Sequence, residues 1–285
     1  MLTRKEVRSV TSAPLVEPQA GSAEPVGSAP PVALWFAKRI GTFCLAELQK
    51  LRHDRTELAT RAIQPVLWLL IFGETFNRIH AIPTGKVPYL DFLAPGVLAQ
   101  SGLFVAVFYG IQVIWERDAG VLAKLLVTPT PRAALVAGKA FSAAMRAVAQ
   151  VVVVLVLSVI LGVALTANPL RLIGAAAVVV LGAAFFATLS MSIAGIALSR
   201  ERLMGIGQAI TMPLFFASNA LYPVKLMPTW VRVFSTANPM SYEVNALRAL
   251  LLGTSAPLLL DFGVLIGALV VGVTVASALL PRLVR

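Results

Sequence analysis

Residues 172–198 read LIGAAAVVVLGAAFFATLSMSIAGIAL, twenty-seven consecutive positions without a charged side chain. About 20 apolar residues in a helix suffice to cross the ~30 Å hydrocarbon core of a bilayer. A run of this length belongs either to a membrane span or to the buried centre of a large soluble protein, and the rest of the chain decides between them. Of 285 residues, 58% are hydrophobic and only 13% charged, and the mean hydropathy is +0.84. A soluble domain carries about 25% charged residues. A soluble fold of this length could not cover so much apolar surface, so its natural solvent is lipid.

Five more apolar segments lie on either side, each bounded by charge or by Pro and Gly: 62–79, 89–114, 133–166, 203–222 and 257–280. The segment at 133–166 is long enough to extend past the bilayer. The expected fold is therefore an all-α membrane protein of six transmembrane helices. Residues 1–31, rich in Pro, Ala, Ser, Glu and Gly, read as a disordered tail and lack the apolar core of a signal peptide. In 32–61, Leu34, Ile40, Phe43, Leu48 and Leu51 recur at helical spacing among Lys38, Arg39, Lys50, Arg52 and Arg55. That pattern predicts an amphipathic helix lying at the membrane interface.

The net charge of +11 would suggest nucleic acid in a soluble protein. Its distribution argues otherwise. With the N-terminus inside, eighteen Lys and Arg fall on cytoplasmic segments and six on the opposite side. Such a bias sets orientation in a bilayer, places both termini in the cytoplasm and accounts for the basic balance without a nucleic-acid partner.

Residues 222–257 fit neither loop nor span. Trp230, Val231, Val233 and Phe234 form a short apolar patch, and Asn238 followed by Pro239 is a helix start. Val244, Leu247, Leu250 and Leu251 then share a face. Two short re-entrant helices dipping into the outer leaflet are expected here, with a simple extracellular hairpin as the alternative.

Catalytic signatures are missing from the sequence. No G-x-x-x-x-G-K-[ST] loop, H-E-x-x-H motif or Cys pair occurs; Cys44 is the single cysteine, and His53 and His80 lie far apart. The chain is not expected to hydrolyse ATP. An ion-coupled carrier would need ionisable groups near the bilayer midplane and often shows internal repeats, and neither is visible. The most informative loop is 115–132, WERDAGVLAKLLVTPTPR. Leu122, Leu125 and Leu126 fall on one face of a short helix stopped by Pro129 and Pro131. Such a helix either docks in a partner's groove or lies flat on the bilayer.

The run from Glu116 to Arg132 resembles the first cytoplasmic loop of type-2 ABC exporter permeases, a family that includes daunorubicin-resistance and nodulation-factor permeases. Two other stretches match the same family: PYLDFLAPG at 88–96, and 222–248 with its Tyr222-Pro223, Met227-Pro228-x-Trp230 and Asn238-Pro239-x-Ser241-Tyr242 signatures. The likeness covers nearly everything after residue 32. It implies a half-transporter in the bacterial plasma membrane that pairs with a second permease copy or close relative. It also implies two copies of a separate ABC ATPase, which hold ATP and magnesium, and no cofactor in this chain. Substrates in the family are drugs, lipids or lipid-linked glycans. By the same likeness, Glu116, Arg117, Gly120, Leu122, Leu125, Leu126, Thr128 and Pro129 form the coupling helix to the ATPase. On the residues themselves, Asn238, Pro239, Tyr242, Glu243 and Arg248 are candidates for a re-entrant outer gate, and Glu243 and Arg248 are near enough in sequence to pair across a turn of its second helix. Among polar residues within or near the spans, Gln64, Gln100, Gln150 and Gln208 are candidates for interhelical hydrogen bonds or for the substrate path. Gln100, Gln208, Ser218 and Asn219 are the path residues singled out. Glu74 either marks a pathway or reaches the outer interface beside Arg78. Gly182, Gly205 and Gly207 are expected to permit close helix packing.

Overall fold

The computed structural model describes residues 60, 63–79, 82–85, 87–127 and 130–283. The expected tail, nearly all of the interfacial helix, and Thr128 and Pro129 of the expected coupling helix lie outside these residues. Among the described residues every regular element is helical. Helix α1 occupies residues 63–79 and includes a π-helical stretch, Trp68–Gly73, before its last turns at Glu74–Ile79. It is followed by α2 (Tyr89–Asp118), α3 (Val121–Val127), α4 (Arg132–Ile160) and α5 (Pro169–Ala197). Then come α6 (Arg200–Phe216), α7 (Thr229–Ala237), α8 (Pro239–Leu252) and α9 (Leu258–Leu279).

Helices α2, α4, α5 and α9 are long and apolar enough to cross a membrane. Helix α6 has 17 residues, about 25 Å at 1.5 Å per residue. Helix α6 is shorter than α2, α4, α5 and α9, because the turn at 217–222 ends it. The expected span at 133–166 is shorter than its sequence suggested: α4 stops at Ile160, where Gly162 takes φ +82° and turns the chain. The remaining apolar residues run as an extended strap, and the Thr166 N–H donates to the Leu251 carbonyl at 2.8 Å.

The uncharged run at 172–198 forms the axis of the molecule. Helix α5 touches α2, α4, α6, α8 and α9, and its Ala183, Ala184, Ala187 and Ala194 are fully buried. Small side chains let neighbouring backbones approach, the main source of helix association in lipid, where there is no hydrophobic drive between helices. A methyl group added at Gly110 of α2 would lie 2.7 Å from the Ser190 carbonyl oxygen, and the Ser190 hydroxyl donates to the Val107 carbonyl at 2.5 Å. Gly182 is a close-packing glycine as expected, set directly against the Glu243 carboxyl. Gly205 is not: nothing lies within 4 Å of a methyl there, and it sits on the exposed side of α6 with Met204 and Ile206. Gly207 is buried against α2, where a methyl would meet Val107 at 3.7 Å, an ordinary contact.

Capping follows the sequence. Asn168 accepts from the Leu170 N–H ahead of α5, and Ser199 from the Arg202 N–H ahead of α6. Asn238 accepts from Met240 N–H with Pro239 in the first turn of α8, as its position predicted. Gly253 at φ +73° ends that helix.

Candidate coupling face and amide-lined cavity

At one end of the bundle the end of α2 meets the start of α4 and the junction of α5 and α6, and this end is basic. Glu116 pairs with Lys139, whose side chain is 9% exposed. Arg117 donates to the Leu198 carbonyl at 2.7 Å and to its neighbour Asp118 at 2.8 Å. Asp118 also receives Arg200 at 2.7 Å, and the Arg200 guanidinium lies 5.4 Å from the Trp115 ring centre. Leu198 takes φ +57°, a left-handed conformation uncommon outside glycine, and the carbonyl it presents is the one Arg117 holds. Four helix ends, those of α2, α4, α5 and α6, are thus tied together at the point where α3 departs.

Gly120, at φ +71°, makes that departure possible. The short helix α3 does not present its leucines outward. Leu122 is fully buried in the chain's own core, and Leu125 and Leu126 are half-buried against it. The expectation that these three face a partner is corrected for Leu122. The helix is amphipathic as its spacing predicts, but its apolar face anchors α3 to its own bundle. The outward face is Val121, Lys124 and Val127, the last 87% exposed. Their i, i+3, i+6 spacing places them on the helix face opposite the leucines.

At the opposite end, Arg248 is buried. It donates to the carbonyls of Phe92 at 3.2 Å, Asn219 at 2.7 Å and Ala220 at 3.2 Å, and its guanidinium lies 3.6 Å from the Phe92 ring centre. It does not pair with Glu243. A spacing of five residues puts the two about 140° apart around a helix of 3.6 residues per turn. Glu243 instead points at Gly182 of α5, fully buried, with no hydrogen-bond partner for either carboxyl oxygen. Tyr242 donates to the Thr236 carbonyl at 2.7 Å, and the Asn238 amide to the Leu214 carbonyl at 2.6 Å, fastening α7 and α8 to α6. On α7, Val231 is buried while Trp230, Val233 and Phe234 are exposed. Glu74 pairs with Arg78 at 3.8 Å, Arg78 exposed and Glu74 half-buried.

Between α1, α2, α4 and α6 lies a cavity of about 430 Å³. Gln64, Gln100, Gln150 and Gln208 all line it. Four amides separated by up to 144 positions in sequence converge on one space. Ser218 and Asn219 are not among its walls. Ser218 donates to the Phe215 carbonyl at 2.6 Å, and the Asn219 amide to Asn245 at 2.5 Å. They follow the end of α6, and the Asn219 carbonyl forms part of the seat of Arg248. A second cavity of about 450 Å³ shares the Val105 and Phe108 walls and reaches Trp115 and Arg146 toward the basic end.

Residues 39–252 match the family described as ABC-2 type transporter. Over 204 residues the chain is 27% identical to a daunorubicin resistance ABC transporter permease protein of Streptomyces coeruleorubidus, covering 72% of this chain and 71% of the relative. It is 28% identical to a putative transport permease of Cyanophora paradoxa, covering 70% of each. Nodulation protein J of Rhizobium leguminosarum is 27% identical over 76% of this chain and 84% of the relative. Proteins of this kind are membrane-spanning transport subunits that normally work with an ABC ATPase. The uncharged central helix, the further long apolar helices and a match across three quarters of the sequence agree, and this multi-pass chain belongs to the ABC-2 type transporter family.

Proposed function

We propose that this chain is the permease subunit of an ATP-driven exporter that moves an amphipathic substrate out of the cytoplasm. In this reading α1, α2, α4, α5, α6 and α9 are six crossings of the bacterial plasma membrane, with both termini and the basic end cytoplasmic. The eighteen-to-six division of Lys and Arg supports that orientation. Helices α7 and α8 are the re-entrant pair of the outer leaflet. Two permeases stand over two ATPases, which hold ATP and magnesium, and this chain carries no cofactor of its own.

The observation that carries the proposal is the seating of α3. A seven-residue helix hangs from a glycine turn beside a junction in which ion pairs join the end of α2 to α4 and α6 and the Arg117–Leu198 hydrogen bond joins it to α5. A push on its outward face reaches four crossings at once, because an ion-paired junction transmits displacement as a unit. Co-purification from membranes tests this. The reading expects an ABC ATPase to accompany the chain and its ATP turnover to fall when Lys124 and Val127 are both replaced by Asp. A transport rate set by a proton gradient, with no ATPase bound, would refute it.

A further inference from the structure

The four-amide cavity contains a feature that packing alone does not explain. Gln150 is 1% exposed, and neither its Oε1 nor its Nε2 has a hydrogen-bond partner. Buried amides are nearly always satisfied, because leaving donor and acceptor unpaired forfeits the bonds they made in water. Gln100, 3% exposed, lies on the same wall. Thr60 and Ser101 add hydroxyls, and Phe104, Phe108 and Met212 supply the apolar remainder. None of the described residues lining the cavity is charged.

We propose that this cavity selects an amphiphile whose headgroup is uncharged and hydroxyl-rich, such as a glycoside or polyol on an apolar tail. The inference rests on the exporter reading and narrows its substrate class. An amide needs a partner that both donates and accepts at adjacent atoms, and a hydroxyl does both. A headgroup bearing several hydroxyls satisfies Gln64, Gln100, Gln150 and Gln208 together, while the two phenylalanines take the tail or a sugar face. A cation or anion would leave water for a site whose described walls offer it no counter-charge, which is costly at membrane depth. An amide lining thus discriminates by headgroup charge where an apolar lining would not.

The test uses three photoactivatable amphiphiles with the same diazirine-bearing dodecyl chain and different headgroups: maltoside, trimethylammonium and sulfate. The full chain with its ATPase is placed in lipid nanodiscs prepared without alkyl glycoside detergent, and labelled peptides are mapped. The maltoside probe should label the segments around Gln100 and Gln150 about tenfold more than either charged probe, the factor expected when a hydrogen-bonded site meets a ligand unable to complete it. Gln150→Leu should remove most of that labelling. Gln208→Leu, at an exposed position where the exchange does not disturb the core, should lower it severalfold. Gln150→Glu should move the preference toward trimethylammonium. Equal labelling by all three probes, preference for a charged probe in the unaltered protein, labelling confined to other segments, or indifference to both leucine variants would each overturn the proposal. ATP turnover is read on the same samples. Its absence would count against the exporter reading, while headgroup selection is decided by the labelling alone.

Discussion

Truncating Leu122 to alanine separates the two faces of α3. Leu122 is the only fully buried residue of that helix, so its side chain supplies most of the attachment to the bundle. Leu→Ala at a fully buried site costs about 2–5 kcal/mol. Taking about 3 kcal/mol for a helix that can partly collapse onto the gap, the detached population rises about a hundredfold, at 1.4 kcal/mol per factor of ten. The loss is local, because α3 hangs outside the six larger helices and can open without them. Amide hydrogen exchange in lipid nanodiscs reads it directly. Residues 121–127 should exchange about a hundredfold faster in Leu122→Ala, with α5 unchanged. Val127→Ala, at a position 87% exposed, should leave exchange unaltered and weaken only the association with the ATPase. Unchanged exchange in Leu122→Ala, or an equal acceleration in Val127→Ala, would refute the inward anchoring of the leucine face.

Glycine replacements should divide by surroundings. Gly96→Ala pushes a methyl to 2.9 Å from the Ala220 Cα and should cost about 1–3 kcal/mol. Gly205→Ala meets open space and should stabilise by up to about 1 kcal/mol; thermal unfolding in one detergent compares them. Arg248→Lys keeps the charge but cannot reach three carbonyls with one nitrogen, and should cost about 2 kcal/mol. Combined with Glu243→Gln, its effect should be additive within about 0.5 kcal/mol, because the two side chains share no partner. A double-mutant cycle on Glu116→Gln and Lys139→Met should give a coupling of about 1.5–3 kcal/mol, as befits a charged hydrogen bond shielded from solvent.

The long apolar helices, the cap at Asn238 and the basic end were legible because each is a local property: an uncharged run, a residue type before Pro, a charge bias. What escaped depends on which neighbour a face meets. Leu122, Leu125 and Leu126 do share a face, but a seven-residue pattern cannot say whether that face meets its own bundle or another protein. Glu243 and Arg248 are close in sequence yet point apart, a consequence of helical pitch that reading the motif as a unit obscured. Of the polar residues near the spans, Gln64, Gln100, Gln150 and Gln208 proved to share a cavity. Ser218 and Asn219, similar in sequence context, instead follow the end of a helix. Nothing local distinguishes those fates, since both groups are small or medium polar residues among apolar ones. The end of α4 at Ile160 was hidden because Val163 and Leu165 continue the apolar composition past Gly162, and only the turn at that glycine redirects it.

The claim on which the functional account depends is that the outward face of α3 touches an ATPase. Cys44 is the single native cysteine, so a Cys44→Ser chain carrying Val127→Cys offers one reactive site. Membranes containing this variant and its ATPase, treated with a short thiol-to-amine crosslinker, should yield a permease–ATPase adduct that changes in amount with ATP, whereas Trp230→Cys on α7 should yield none. An adduct from Trp230→Cys and not from Val127→Cys would place the ATPase at the wrong end of the molecule and contradict the account.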